Sequence, residues 1–141
     1  MNLRKTRWPH LLCFALGIFP ALPTWACTDA AGTTLTVGTP GLGLTLTTAV
    51  DKSSAKPGDI LVYALGFCNA SDAAITDLKI DNDTPAFTDF VSASCGTLPA
   101  GMSCVVSAQP APGTSGTITW TLNGTLSPNA EGVVNFKVSV R

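Results

Sequence analysis

Beyond residue 40 the chain reads as a series of short alternating runs. Leu42, Leu44 and Leu46 share one side of a run that ends at Val50, so a strand is predicted over 42–50. Over 60–68, Leu61, Tyr63, Leu65 and Phe67 fall on one face and Ile60, Val62 and Ala64 on the other. The bulkier set is expected to face the core. A strand over 75–80 holds Ile75 and Leu78 three residues apart, out of phase, which predicts a bulge or a sheet edge. A further strand is expected within 87–94 around Phe90 and Val91, and a short one over 104–108. Over 117–122, Thr117, Thr119 and Thr121 alternate with Ile118, Trp120 and Leu122. Over 132–140, Val134, Phe136, Val138 and Val140 share a face.

Gly, Pro, Asn and Asp separate these runs, and none shows sustained helical periodicity. Lys56-Pro57-Gly58-Asp59 has the form of a type II turn, with proline presetting φ and glycine accepting a positive one. About seven strands of this kind predict an all-β, immunoglobulin-like β-sandwich. Trp120, Phe136, Phe67 and Tyr63 are expected to anchor its core, since burying a large apolar side chain contributes about 1.5–3 kcal/mol. The phenylalanines as a group read as core residues.

The front of the chain reads differently. Arg4, Lys5 and Arg7 precede an apolar run over 11–22, and Thr24-Trp25-Ala26 offers small residues where a signal peptidase tests them. Residues 1–26 are therefore expected to be a cleaved signal peptide. The run is too short for a membrane span, so no transmembrane segment is expected after cleavage. Residues 27–43 form a Gly- and Thr-rich arm with a short strand at 35–37, and 44–141 form the domain. The protein is expected to be exported: secreted, periplasmic or at the cell surface. Lipidation at Cys27 is the alternative, although Thr24 and Trp25 do not suit a lipobox.

Cleavage removes Cys13 and leaves Cys27, Cys68, Cys95 and Cys104, an even number in an exported chain. Cys95 and Cys104 flank a Gly- and Pro-containing loop and are expected to close it as a hairpin linking two neighbouring strands. Cys27 would then pair with Cys68 and pin the arm. Buried free thiols are the alternative.

Composition removes several kinds of chemistry. Of 141 residues 12% are charged, and the formal net charge is -1. Nucleic acid is not an expected partner, because phosphate binding needs a basic surface. The single histidine, His10, leaves with the signal, so Ser-His and Cys-His catalysis have no base. Glu131 is the one glutamate. No Cys-x-x-Cys occurs, so zinc and redox sites are not expected. Asp81, Asp83 and Asp89, with Asn82, are candidate calcium ligands, though they lack EF-hand spacing. The plainer reading is that they are solvated acids at strand ends. Asn69, Asn82 and Asn123 begin N-glycosylation sequons. Lys52, Lys79, Lys137 and Asn135 are candidates by type for an isopeptide crosslink. An enzyme is not expected, nor a cofactor.

Three segments occur in an informative order: Val50-Asp51-Lys52 through Lys56-Pro57-Gly58-Asp59, Pro85-Ala86 through Phe90-Val91-Ser92-Ala93-Ser94, and the run from Ile118 through Gly124-Thr125-Leu126-Ser127-Pro128. The strand ending Phe67-Cys68-Asn69 lies between the first two. Together they resemble the DUF11 conserved repeat domain of bacterial and archaeal surface and secreted proteins, over about residues 44–141. The resemblance implies an immunoglobulin-like fold and an extracellular structural role, and it brings no catalytic residues. The expected function is a structural or adhesion module with protein or cell-surface partners. The alternative is a carbohydrate- or protein-binding module, stabilised by calcium if the aspartates bind it.

Overall fold

The structure, a computed structural model, describes residues 43–141. Seven strands follow in chain order: β1 (Leu44–Val50), β2 (Ile60–Asn69), β3 (Ile75–Asp83), β4 (Thr88–Cys95), β5 (Ser103–Ala108), β6 (Thr117–Leu126) and β7 (Glu131–Val140). The described residues include no helix. All pairings are antiparallel. One sheet has the order β1-β2-β7-β4, the other β3-β6-β5. The expected signal peptide, the strand expected at 35–37 and Cys27 lie outside the described residues.

The two sheets stack across one apolar core, because period-two alternation turns one side of each strand inward. Leu61, Leu65 and Phe67 of β2 face Ile118, Trp120 and Leu122 of β6, and Val134, Phe136 and Val138 of β7 complete the layer. Trp120 meets Phe136 across the interface, ring centroids 6.2 Å apart. Tyr63 is half-buried rather than buried, and stacks on Phe136 at 4.8 Å. The inward set expected for β2 is therefore the observed one. Ile60 of the opposite set is exposed.

Three irregularities reset the alternation. Between the pairs Thr76↔Thr125 and Leu78↔Leu122, one β3 residue, Asp77, faces two β6 residues, Asn123 and Gly124. Asp77 takes φ 55 and Gly124 φ 107. That shift lets Ile75 and Leu78 both point inward, and it lies on an edge strand, so the out-of-phase pair marked both features. β6 runs to Leu126, beyond the expected end at 122, because the pairing resumes past the bulge. In β4 the register shifts between Phe90 and Ser92. Phe90 and Cys95 are five residues apart, yet both lie against the core. Without the extra residue Val91, Cys95 would face outward. A third shift lies between Val106 and Ala108 of β5.

The core expectation fails for one phenylalanine. Phe87 is not a core residue: it is 80% exposed and holds φ 61. It falls in the turn before β4, where Thr88 donates through N and Oγ1 to the carbonyl of Pro85, and strand alternation does not govern its direction.

Candidate functional site

The residues singled out by the sequence are spread over both ends of the sandwich. At one end lies the β1–β2 connection. Gly58 adopts φ 90, as the turn requires, and Asp59 N donates to Lys56 O at 3.0 Å. The Asp59 carboxylate accepts from Lys56 N at 2.9 Å. The turn is bonded to β7 through Gly58 N to Val140 O and Val140 N to Asp59 O. Asp51 N donates to Val62 O, and its carboxylate accepts from Val62 N at 2.8 Å, so a side chain prolongs the β1–β2 ladder. Lys52 Nζ donates to Ile60 O at 2.8 Å.

At the other end Asn69 is fully buried. Its Nδ2 donates to Ala73 O at 2.7 Å and to Leu126 O at 2.9 Å. Its Oδ1 accepts from Ser71 N and Ser71 Oγ. Its backbone pairs with Ala130 and Asn129 in the β6–β7 turn. One amide thus ties the β2–β3 loop to the end of β6, and a buried polar group with every bond made adds specificity without an unpaired-group penalty. This arrangement also leaves no access to Asn69 as a glycan acceptor. No buried side-chain nitrogen or oxygen among the described residues lacks a partner.

The calcium candidates separate. Asp81 and Asp83 lie two apart on β3 and accept hydrogen bonds from Thr119 and Thr117 of β6. With Asn82 and Thr117 they line an open depression of about 540 Å³. Asp89 is on β4 in the other sheet, ion-paired with Arg141 at 2.9 Å. Among the described residues no three His, Cys, Asp or Glu side chains gather where a metal could be held.

Cys95 and Cys104 are joined as expected, with Cα atoms 5.9 Å apart, but not across a hairpin: β4 and β5 lie in different sheets, because each pairs with a strand distant in sequence, and the bond links the two layers. Cys68 is disulfide-bonded as well. Cys27, its expected partner, lies outside the described residues. No helix among the described residues is long and apolar enough to cross a membrane.

Sequence reasoning missed two features. Phe87 is a large aromatic held out in solvent, flanked by the Arg141–Asp89 pair, with Arg141 N donating to Phe87 O at 3.0 Å. Its signal was Pro85 two residues before it, which places Phe87 in a turn. Asn69 reads in the sequence as a strand ending and a sequon; that it is a hub follows only from loops distant in sequence. No protein-family model matches the chain, and no curated protein matches it.

Proposed function

We propose that this chain is an exported, non-enzymatic module of the DUF11 type, acting in structure or adhesion at the cell surface or outside the cell. One observation supports it above the others. The polar residues in the segments that carry the family resemblance are bonded to the domain's own backbone: Asp51 to Val62, Asp59 to Lys56, Thr88 to Pro85, and Asn69 to Ala73 and Leu126. Residues used in this way maintain a shape, and a stable shape is what a spacer or adhesive unit requires. The disulfides suit an oxidising compartment.

The immunoglobulin-like reading rests on strand number, antiparallel pairing and two-layer packing. The strand grouping differs from the constant-type immunoglobulin arrangement, which places the first, second, fourth and fifth strands together. Here the seventh strand takes the fifth strand's place beside the second, and the fifth joins the third and sixth.

The test is production of the full chain in an exporting bacterium. The expected product begins at Cys27 and has no alkylatable thiol before reduction. An uncleaved cytoplasmic product with free thiols overturns the reading. Surface display of the domain should promote attachment of the displaying cells to one another or to protein-coated surfaces.

The binding-module alternative gains from Phe87. An exposed aromatic in a left-handed conformation is a strained arrangement of the sort that clusters at contact sites. A glycan array and a protein-binding screen, each run with the parent and Phe87→Ala, discriminate. Loss of a hit in the variant supports a binding module, and no hit with either protein removes that reading.

A further inference from the structure

Asn123-Gly124 is the one Asn-Gly dipeptide in the chain. Four observations at this place converge. Asn123 is exposed, and its side-chain amide has no hydrogen bond among those that hold the described residues. The dipeptide sits where the β3–β6 ladder is interrupted, two β6 residues against Asp77 alone. Gly124 holds φ 107, which an L side chain rarely adopts. A Cβ there would also lie 2.6 Å from Gly101 O and 3.2 Å from Met102 Cα. The fold therefore demands glycine after Asn123. Glycine is the residue that least shields its own backbone nitrogen from the preceding side chain.

We propose that Asn123 is a site of spontaneous deamidation in the folded protein. Hydroxide removes the proton of the Gly124 amide. The nitrogen attacks Asn123 Cγ, a Cγ–N bond forms, the Cγ–Nδ2 bond breaks, and the departing nitrogen takes a proton from water to leave as ammonia, which restores the hydroxide. Water then opens the five-membered succinimide at either carbonyl and yields aspartate or isoaspartate. No electron transfer is involved, and water is the only co-reactant. The product places a carboxylate opposite Asp77 in the register, and like charges facing each other across a strand pair are unfavourable. The isoaspartate form also inserts a backbone carbon into β6 just before Thr125 pairs with Thr76. The modification thus loosens the bulged end of the second sheet as the protein ages. This site is independent of the role proposed above.

The experiment incubates the disulfide-intact, processed protein at mildly alkaline pH under native conditions and follows its peptides by mass spectrometry. The expected result is a one-mass-unit gain on the peptide holding Asn123, divided between aspartate and isoaspartate. It should precede any change at Asn82, Asn129 or Asn135, and quicken as pH rises. Hydroxylamine should cleave the aged chain after residue 123. Asn123→Gln should remove the gain with an unchanged circular dichroism spectrum. The proposal is overturned if Asn123 stays intact in the native protein while the urea-unfolded chain deamidates there, because the strand would then be protecting it.

Discussion

The indole Nε1 of Trp120, at the centre of β6, donates to the backbone carbonyl of Ser94 on β4 at 3.2 Å. The bond crosses from one sheet to the other, and Trp120 itself is fully buried. Trp120 therefore does two things. Its rings fill the space beside Phe136, and its N–H satisfies a carbonyl whose own strand is bulged at Val91.

Trp120→Phe should separate those roles. It leaves the Ser94 carbonyl without its indole donor and opens a small cavity. The expected loss is about 2–4 kcal/mol, from an unpaired polar group at about 1–3 kcal/mol plus the cavity. Urea unfolding followed by circular dichroism measures it. A loss below half a kilocalorie would mean that the cross-sheet bond contributes nothing.

Asn69→Leu should cost more than Ser71→Ala. The first removes both donors to Ala73 O and Leu126 O and leaves those carbonyls short of partners, at about 2–4 kcal/mol in total. The second removes one hydroxyl near the surface, worth about 1 kcal/mol. Amide hydrogen exchange should quicken in the β2–β3 loop and the β6–β7 turn together for Asn69→Leu, and in the β2–β3 loop alone for Ser71→Ala.

Gly132 sits opposite Phe67 in the β2–β7 register, and a Cβ built on it would approach Phe67 Cζ to 2.3 Å. The ring is 1% exposed and has nowhere to retreat. Gly132→Ala should destabilise by about 1–3 kcal/mol through overpacking, although alanine suits a strand better than glycine. A rise in thermal midpoint would show that the ring shifts freely.

Phe87→Asn should raise stability by about 0.5–1 kcal/mol. Asparagine tolerates positive φ better than phenylalanine does, and the lost ring is exposed, so little burial is forfeited. A thermal scan checks this. If Phe87 contacts a partner, the same variant gains stability and loses binding, a combination that a purely structural residue does not produce.

Opening the Cys95–Cys104 bond with paired serine substitutions should cost about 2–3 kcal/mol, the range for a short closed loop. The bond joins the two sheets, so the variant should open first between β4 and β5. Hydrogen exchange on those strands is the measurement.

Most of the fold was legible because strand alternation is a local property. The inward set Leu61, Leu65 and Phe67, the alternation around Trp120, and the turn at Pro57-Gly58 each follow from a few consecutive residues. Even the β3 bulge left a trace, in the three-residue spacing of Ile75 and Leu78. The Cys95–Cys104 pairing followed from the short loop between the two residues.

What the residues could not specify alone depends on segments that meet from far apart. The bulge at Val91 turns Cys95 toward its partner, yet nothing local distinguishes Val91 from any other strand valine. Asp89 was grouped with Asp81 and Asp83 by nearness in sequence, and the chain places it in the opposite sheet. Asn69 reads as a plain strand end until Ala73 and Leu126 converge on its amide. Phe87 reads as core until the turn at Pro85 sends it outward. Alternation tells which side of a strand is apolar. Only packing decides which strand lies next to which, and with it where each polar side chain finds its partner.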